Sequence, residues 1–483
     1  MKLNEKTISE LYGMLRNKQC SAAEILADVK ECINEKDGQI GAYITLNTVA
    51  EESARMADAK IAKGENIHPL TGIPIAVKDN ISTKGLRTTC GSKMLESYNP
   101  PYDATVIERL GEHGAVIIGK TNMDEFAMGS STENSFFHPT CNPHNTEYVA
   151  GGSSGGSAAA VSAHEAIAAL GSDTGGSVRQ PASFCGAVGM KPTYGRVSRY
   201  GLIAYASSLE QIGTLTKSVK DSAILLSAIA GRDVMDATCS RRSCPDYSLN
   251  LSSSVKGLRI GVAEEYFSEA IDDEVKNLVY SALKELESNG AELVDISLPA
   301  KEFSVSTYYI IASAEASSNL ARYDGVKYGY RANAYDGLTD MYEKTRSEGF
   351  GDEVKRRIML GTFVLSSGYY EEYYKKAKCM QRKISAEFSE AFKKCDVIAT
   401  PTTPTAAFRI GENSGNILKM YGSDVCTVAA NIAGIPAISL PCGKNSMGLP
   451  VGLQLMGDRF SEQTLFNAAY GYELLCGGFR EVK

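Results

Sequence analysis

Residues 151–177 read "GGSSGGSAAAVSAHEAIAALGSDTGGS", in which two glycine- and serine-rich runs, 151–157 and 171–177, enclose a small, apolar segment, 158–170. Glycine- and serine-rich composition is typical of flexible linkers. The enclosed segment has small residues that favour a helix and burial, however, and linkers do not normally alternate with segments of that kind. The two runs are therefore either hinges or backbone shaped around a chemical site, and the motifs described below, taken together, favour the site. We predict a helix between the two runs.

The overall composition is that of a globular protein. The chain has 483 residues, of which 43% are hydrophobic and 22% are charged, so it is long enough to bury a sizeable core. The net charge of −7 provides no global attraction for nucleic acid. The twelve cysteines form no CxxC pair, which indicates buried thiols in a reducing compartment. Without a targeting segment or an apolar run of membrane-spanning length, we expect a cytoplasmic protein without membrane contact.

The hydrophobic pattern changes along the chain in a way that predicts an α/β fold. The first 60 residues have helical periodicity, with a capping box at Ser21 and Glu24. Short β-rich runs follow, and the later part alternates strand, helix and strand. We predict a single domain over residues 1–483, with a helical N-terminal segment (1–60), a core that carries the catalytic residues (60–220) and a remainder that carries the substrate pocket (221–483).

Residues 114–121, "GAVIIGKT", match the phosphate-binding loop pattern G-x-x-x-x-G-K-[ST]. That loop needs a strand before its first glycine and exposed N–H groups inside it. Here the inner residues are themselves strand formers, and the preceding "ATVIERLGEHG" has the pattern of a helix and its cap. We favour a buried strand over a nucleotide site.

A second motif, "GGSSG" at 151–155, fits the nucleophile elbow of hydrolases that use serine, an acid and histidine in that chain order. The last histidine is His164, which follows Ser153 too closely for an acid and the expected intervening structure to lie between them, so this chain order is excluded. A nucleophilic serine would then need another base, and a lysine with a depressed pKa can serve. Lys78 ends the apolar run of "GIPIAVKDNI" (72–81) and is the candidate; the alternative is an exposed lysine at a strand end.

The second glycine run contains "DTGGS", which ends at Ser177. Gly175 and Gly176 have no Cβ, so successive N–H groups can point the same way and form a site for an oxyanion. Stabilising an oxyanion supplies much of the rate in acyl transfer. Ser177 would hold its hydroxyl beside such donors.

These motifs together resemble the amidase signature family. The resemblance implies an α/β fold with a central mixed β-sheet flanked by helices on both faces, and a Ser–Ser–Lys triad whose middle serine follows a cis peptide bond. Carried over by motif, Lys78 is the general base, Ser153 the bridging serine and Ser177 the nucleophile that forms the acyl ester. The implied oxyanion donors are the amides around Thr174, Gly175, Gly176 and Ser177.

The resemblance extends from about residue 5 to residue 475. Over this length the chain is similar to the glutamine-hydrolysing amidase subunits of tRNA-dependent amidotransferases. The segments that carry it are "NMDEFAMGSSTENS" (122–135), "EASSNLARYDGVKYG" (315–329) and "RRIMLGTFVLSSGYYEEYYKKA" (356–377). It implies that glutamine is hydrolysed to supply ammonia, with two partners, the B and C subunits of the amidotransferase. The B subunit is expected to use ATP and Mg²⁺ and to make most of the tRNA contacts. No cofactor and no metal are expected in this chain.

A pocket for free glutamine needs a cation for the α-carboxylate and an anion for the α-ammonium group, because unpaired buried charges are costly. By motif, Arg357 would bind the carboxylate, Asp424 the ammonium group, and Tyr308 would line the pocket. The sequence also allows structural roles for these residues: Arg357 as a solvated helix arginine, Asp424 as a helix cap and Tyr308 as a core residue. Tyr309 competes with Tyr308 for the same role.

Three alternative functions remain open at this point. A stand-alone amidase for another small amide would use the same triad with a different pocket. A non-catalytic assembly subunit would keep the fold, although the presence of Lys78, Ser153 and Ser177 argues against it. A nucleotide-binding protein would rest on the motif at 114–121.

Overall fold

The computed structural model describes residues 2–479. Its centre is an eleven-stranded β-sheet, to which a two-stranded hairpin is added. The strands are β1 (Tyr43–Leu46), β2 (Pro74–Lys78), β3 (Val116–Thr121), β4 (Cys141–Asn142), β5 (Asn145–Val149), β6 (Ala168–Asp173), β7 (Val188–Lys191), β8 (Gln211–Thr216), β9 (Arg259–Ala263), β10 (Glu292–Ile296), β11 (Val397–Pro401), β12 (Ala437–Lys444) and β13 (Pro450–Gly457).

Helices flank the large sheet and connect its strands. They are α1 (Ile8–Arg16), α2 (Ala22–Ile40), α3 (Ala50–Ala62), α4 (Thr105–Glu112), α5 (Gly155–Ser162), α6 (Arg179–Cys185), α7 (Val219–Ile229), α8 (Asp273–Ser288), α9 (Ser304–Asn319), α10 (Gly337–Gly349), α11 (Asp352–Leu365), α12 (Lys376–Ala391), α13 (Ile417–Gly422), α14 (Val428–Ala433) and α15 (Glu462–Leu475). The capping box predicted at Ser21 and Glu24 is confirmed at the start of α2.

The strand order in the large sheet is β1-β3-β2-β6-β8-β7-β12-β13-β11-β9-β10. The pairs β2–β3, β2–β6, β9–β10 and β9–β11 are parallel, and the remaining neighbours are antiparallel. The prediction of an α/β fold with a central mixed sheet flanked by helices is therefore confirmed. So is the predicted strand–helix–strand unit, which is formed by β9, α8 and β10.

Two neighbouring parallel strands position the candidate site. Every residue of β2 and of β6 is buried, and Val77 pairs with Leu170 in their shared register. Lys78 and Asp173 are the last residues of the two strands, so they lie at the same edge of the sheet. The carboxyl ends of parallel strands are a common location for ligand sites in α/β folds.

The segment between the two glycine runs differs from the predicted helix. Helix α5 ends at Ser162, His164 has a left-handed φ of 66°, and residues 168–173 form β6. The reason is tertiary: β6 pairs with β2 on one side and β8 on the other, and sheet pairing in a buried position overrides a weak helical preference. The N-terminal segment likewise contains β1, an edge strand, within its predicted helices.

The motif at 114–121 is a strand, as predicted. Helix α4 precedes it, Gly114 turns the chain with φ 73°, and β3 pairs with both β1 and β2. Lys120, the lysine of the motif, is fully buried and donates to the hydroxyl of Thr88 at 2.8 Å, with Asp79 Oδ1 at 3.8 Å. Its backbone is paired in the sheet, so it does not form a phosphate-binding loop.

The remaining elements and the cysteines complete the description of the fold. Strands β12 and β13 pair antiparallel, and α15 closes the described chain. Helix α12 is preceded by a π-helical segment at Glu371–Lys375. The twelve cysteines are all free thiols, and two of them, Cys379 and Cys476, are exposed rather than buried. Across residues 2–479, none of the helices has the length and apolar character needed to span a membrane.

Candidate active site

Lys78 is the centre of the candidate site, and its side chain is completely buried. Its ammonium nitrogen lies within hydrogen-bond distance of three oxygens: Ser153 Oγ at 2.7 Å, Ser154 Oγ at 2.9 Å and Ser172 O at 3.2 Å. Burial lowers the pKa of Lys78 to about 7, which nearby acidic groups, first among them Asp124, oppose in part. The exposed-lysine alternative is therefore wrong, and a substantial fraction of Lys78 is uncharged at neutral pH.

The hydrogen bonds of Lys78 determine where its lone pair points. Ser154 Oγ donates to Ser172 O at 3.1 Å, so it accepts from Lys78, and a carbonyl oxygen can only accept. An uncharged lysine has two N–H hydrogens, and these two acceptors use both. The lone pair then faces Ser153 Oγ, which is the direction needed to take a proton from that hydroxyl.

Ser153 follows a cis peptide bond, Gly152–Ser153, as the family resemblance implied. Its side chain is fully buried. Neighbouring groups leave no space for a side chain at Gly152, where an added Cβ would meet the backbone N of Ser131 at 2.7 Å. Gly151 has a left-handed φ of 81°, a conformation that glycine adopts without steric cost. The first glycine run is therefore tightly packed and is not a hinge.

Ser177 lies at the end of the second glycine run, whose last four residues (174–177) we call the glycine loop. The residue is 7% exposed, whereas Ser153 is completely buried. The carbonyl of Ser177 accepts from the backbone N–H of Ser154 at 3.1 Å, so the two serine-bearing loops are directly joined. Within residues 2–479, the Ser177 hydroxyl has no hydrogen-bond partner, which leaves it free to meet a ligand.

A buried ion pair anchors the glycine loop. Asp173 accepts hydrogen bonds from Gly176 N at 2.9 Å and from Arg179 Nε and Nη2, each at 3.0 Å. Burial opposes ionisation of Asp173, but the guanidinium of Arg179 outweighs it and holds the pKa of this carboxyl below its ordinary value. A charged, fully paired carboxylate thus fixes the backbone beside Ser177.

The geometry refines the expected oxyanion donors. The amide of Gly176 already donates to Asp173, and this glycine serves the turn with φ 139°. The amides of Thr174, Gly175 and Ser177 have no acceptor among the described residues. These three N–H groups are the ones left to receive negative charge on a substrate oxygen.

Asp424 is buried in a second, adjoining part of the site. The hydroxyl of Ser130 donates to both of its carboxylate oxygens, at 3.0 and 2.9 Å, and the hydroxyl of Tyr309 donates to Oδ2 at 3.3 Å. Burial raises the pKa of Asp424 to about 7 despite these donors. No side chain among residues 2–479 forms an ion pair with Asp424, and a bound ammonium group would supply such a partner.

Arg357 in α11 is 3% exposed and is surrounded by tyrosine rings. Nε donates to Glu353 Oε1 at 2.7 Å, and Nη1 donates to the hydroxyl of Tyr205 at 2.5 Å. The guanidinium carbon lies 4.9 Å from the ring centre of Tyr309 and 5.4 Å from that of Tyr421. No described residue accepts from Nη2, so one edge of the guanidinium is available to a carboxylate.

The two candidate tyrosines have different surroundings. The ring of Tyr308 packs on the glycine loop: a Cβ added to Gly175 would lie 2.6 Å from Tyr308 Cζ. Tyr309 contacts both charged groups, because its ring faces Arg357 and its hydroxyl bonds to Asp424. Tyr308 therefore lies beside the oxyanion donors, and Tyr309 is the tyrosine that joins the two charges.

One threonine connects the charged part of the site to the glycine loop. The hydroxyl of Thr427 donates to Gly175 O at 2.6 Å and to Asp424 O at 3.1 Å. A buried lysine–serine pair, a set of free amides and a buried pair of opposite charges are thus parts of one continuous site. Such a site can cleave an amide whose other end carries both a carboxylate and an ammonium group.

Several contacting residues carry no assignment from the sequence. Ser130 lies in a segment whose resemblance was noted without a role for it, and Ser154 is adjacent to the predicted bridging serine. Asp173 and Arg179, six residues apart around the glycines, are an opposite-charge pair that the motif could have suggested. Glu353 precedes Arg357 by four residues on α11, a spacing at which helical charge pairs form, so local charge patterning could have suggested it. Tyr205 and Tyr421 come from distant parts of the chain, and no local pattern marks them.

Comparison with known proteins agrees with this geometry. The family model described as "Amidase" matches residues 24–466. The chain is 58% identical to the A subunit of the glutamyl-tRNA(Gln) amidotransferase of Caldanaerobacter subterraneus subsp. tengcongensis, over 98% of this chain and 97% of that protein. It is 57% identical to the protein of the same name from Halothermothrix orenii, over 98% of each chain.

Solved structures have the same fold. The crystal structure of the glutamyl-tRNA(Gln) amidotransferase A subunit from Thermotoga maritima is 45% identical, with a TM-score of 0.81 over 98% of this chain and 95% of that one. The peptide amidase of Stenotrophomonas maltophilia is 29% identical, with a TM-score of 0.82 over 98% and 97% of the two chains. The chain belongs to the amidase family, as its resemblance to the amidase signature motif predicted.

Proposed function

We propose that this chain is the glutamine-hydrolysing A subunit of a glutamyl-tRNA(Gln) amidotransferase. One arrangement carries the proposal: Thr427 connects the glycine loop to Asp424, and Tyr309 connects Asp424 to Arg357. A buried anion and a buried cation are thus linked by short contacts to the loop that ends at Ser177. A free amino acid amide presents the complementary charges. The names of two relatives that are 58% and 57% identical to this chain support its assignment as the A subunit of a glutamyl-tRNA(Gln) amidotransferase.

In this proposal the chain cleaves the side-chain amide of glutamine through an ester on Ser177. Ser177 Oγ attacks the amide carbon while its proton passes to Ser153, whose own proton passes to Lys78. The carbonyl oxygen takes up negative charge against the amides of Gly175, Ser177 and Thr174. A proton returns along the same path to the amide nitrogen, and the C–N bond breaks. Ammonia departs, and a γ-glutamyl ester remains on Ser177.

Water then completes the cycle by the same proton path. The water oxygen attacks the ester carbon as Lys78 takes its proton through Ser153. The C–O bond to Ser177 breaks, the serine oxygen regains a proton, and glutamate is released. The depressed pKa of Lys78 suits both half-reactions, because a base with a pKa near the working pH can accept and return protons.

The charged pocket provides selectivity. Arg357 Nη2 is free to bind the α-carboxylate, and Asp424 with Ser130 is placed to bind the α-ammonium group. Tyr309 lies between the two and Tyr308 packs on the glycine loop, so both tyrosines line the substrate. An amide without the ammonium group would leave Asp424 without a cation, and one without the carboxylate would leave Nη2 of Arg357 without an acceptor, so both are disfavoured.

The second half of the reaction is assigned to partners. Amide cleavage does not activate a carboxylate, and residues 114–121 form a buried strand, which does not favour ATP binding by this chain. The B subunit, with ATP and Mg²⁺, would activate the glutamate on tRNA and provide most of the tRNA contacts, and the C subunit would help to join the other two chains. We place this assembly in the cytoplasm.

The deciding experiment measures ammonia and amidated tRNA in parallel. The purified chain is mixed with glutamine, with and without the B and C subunits, ATP, Mg²⁺ and glutamyl-tRNA(Gln). We expect glutamine-dependent ammonia that increases in the complete mixture, and glutaminyl-tRNA only in that mixture. Ser177→Ala, with the same partners, is the matched control and should give neither product.

The alternatives make different predictions in the same assay. A stand-alone amidase would hydrolyse another small amide and ignore the partners. A non-catalytic assembly subunit would leave the ammonia yield unchanged by Ser177→Ala. Glutaminyl-tRNA formed by this chain without its partners, or ATP binding by the isolated chain, would contradict the division of labour proposed here.

A further inference from the structure

Gln180, the second residue of α6, has a completely buried side chain that makes two hydrogen bonds of opposite sense. Its Oε1 accepts from Gly152 N at 2.8 Å, and its Nε2 donates to Ser130 O at 2.7 Å. Its backbone N–H donates to Gly176 O at 2.8 Å. One residue therefore contacts the segments that carry Ser153, the Asp424 ligand Ser130, and Ser177.

The orientation of this amide is unambiguous. Reversing it would set its NH₂ group against the N–H of Gly152 and its oxygen against the carbonyl of Ser130, and both contacts would be repulsive. Gly151 lets the backbone approach this closely, because a Cβ there would lie 2.5 Å from Gln180 Oε1. A buried amide with both hydrogen bonds made holds its two partners at a defined separation.

Each side-chain hydrogen-bond partner of Gln180 adjoins a residue of the candidate active site. Ser130 donates to both oxygens of Asp424, the proposed ligand of the ammonium group. Gly152 is bonded to Ser153, whose hydroxyl faces Lys78 at 2.7 Å. A path of hydrogen bonds and covalent bonds thus connects Asp424, the proposed ligand of the ammonium group, with Lys78, the proposed base.

We propose that Gln180 is a positioning residue that couples the binding of an α-ammonium group at Asp424 and Ser130 to the alignment of Ser153. This inference rests on the proposed function, because it takes glutamine as the substrate. Gln180 does not contact the reacting atoms. The consequence of this coupling is that an α-ammonium group on the substrate increases the rate of amide cleavage as well as the affinity.

The test compares glutamine with glutaramate, which has the same amide and carboxylate but no α-ammonium group. Gln180→Met keeps the length of the side chain and removes both hydrogen bonds. Gln180→Glu keeps an acceptor for Gly152 N and, when ionised, opposes the carbonyl of Ser130. The ammonia assay gives kcat and KM separately for each substrate, and thermal unfolding of each variant reports folding.

We expect Gln180→Met to lower kcat for glutamine by about 10- to 100-fold, with a much smaller change for glutaramate and little change in KM. Gln180→Glu should show the same preference. Ser130 and Gln180 act along the same path. Adding Ser130→Ala to Gln180→Met should therefore cause little further loss of kcat for glutamine. Gln463→Met is the control, since Gln463 Nε2 donates only to distant groups, including Tyr247 O at 3.3 Å and Asn250 O at 3.2 Å.

Equal losses on glutamine and glutaramate, with additive effects of the Ser130 and Gln180 variants, would overturn the inference and leave Gln180 with a structural role. If Gln180→Met does not fold, the same comparison with Gln180→Glu decides. A wild-type chain that cleaves neither substrate, alone or with the B and C subunits, would contradict the proposed function itself, which is a separate result.

Discussion

Lys78 Nζ lies 2.7 Å from Ser153 Oγ, and both side chains are completely withdrawn from solvent. The lysine has no carboxylate within ion-pair distance among the described residues, although Asp124 and Asp173 influence it from further away. Burial therefore dominates, and the uncharged amine becomes accessible near neutral pH. The function proposed for this chain depends on this pair.

Ser177→Ala should lower glutamine hydrolysis by about 10⁴-fold or more, because members of a catalytic triad act as a unit. Lys78→Ala should have a comparable effect. An electrophilic glutamine analogue should label Ser177, and peptide mass spectrometry would locate the adduct. The control is Ser446→Ala in the turn between β12 and β13, which should keep the wild-type rate. Label on Ser153, Ser154 or a cysteine would contradict the assignment.

The rate should depend on pH through two groups with pKa values of about 7, Lys78 and Asp424. Lys78 must lose its proton to act as base, and Asp424 must lose its proton to bind an ammonium group, so kcat/KM should rise with pH and level off above about 7. A bound ammonium group favours ionised Asp424, so kcat should report Lys78 alone.

Asp424→Asn separates these two groups. The slope of log kcat/KM against pH on the acidic side should fall from about 2 in the wild type to about 1 in the variant. The measurement is a pH series of initial ammonia release. An unchanged slope in Asp424→Asn would show that this carboxyl does not titrate in the free enzyme.

Arg357→Ala and Asp424→Ala should weaken glutamine use by about 2–5 kcal/mol in kcat/KM, and the use of a simple aliphatic amide far less. Each variant removes one charge partner of the amino acid and leaves the Lys78–Ser153 pair intact. Lys355→Ala, at a partly exposed position on the same helix that pairs with Asp352, is the control and should be neutral. Equal losses on both amides would assign the two residues to the fold.

Gly175→Ala should reduce activity while the protein remains folded, because the new methyl group would lie 2.6 Å from Tyr308 Cζ and displace the glycine loop. Adding Tyr308→Leu makes room for the methyl group and should restore part of the rate. Gly415→Ala, where a Cβ meets nothing within 4 Å, is the control. Ammonia release and thermal unfolding check the prediction, and full activity in Gly175→Ala would contradict it.

Arg179→Met should destabilise the protein by about 3–5 kcal/mol at pH 7, because it leaves the Asp173 carboxylate buried without its cation. In the wild type, Arg179 holds the pKa of Asp173 below its ordinary value, so the pair is stabilising at neutral pH. Without Arg179, burial would raise that pKa, and protonation at lower pH would relieve the penalty. Denaturant unfolding at pH 7 and pH 5 should show a smaller deficit at pH 5; a deficit that grows would contradict this.

Local patterns predicted most of the secondary structure. The alternation and length of "GIPIAVKDNI" and "GAVIIGKT" indicated strands, and both are strands of the sheet. Residues 168–173 were missed as a strand because small apolar residues suit a helix and a buried strand equally well. Only pairing with β2 and β8 distinguishes the two.

Short stretches of adjacent residues already define the elements of the catalytic centre. A lysine at the end of an apolar strand, serines after glycines and a chain without a late histidine restrict the chemistry, since these features can be read along the chain. The motif resemblance then assigned roles to Lys78, Ser153 and Ser177. These roles remain predictions, to which the structure adds the Lys78–Ser153 distance and the burial of the side chains.

Long-range packing, in contrast, selects the residues that share the pocket. Tyr205, Tyr309 and Tyr421 surround Arg357 although about a hundred residues or more separate each from the next, and Ser130 meets Asp424 across 294 positions. The depressed pKa of Lys78 also needs the complete fold, because desolvation comes from every element packed around the side chain. Sequence spacing encodes the geometry of one strand or helix, whereas burial and long-range contacts arise only when those elements pack together.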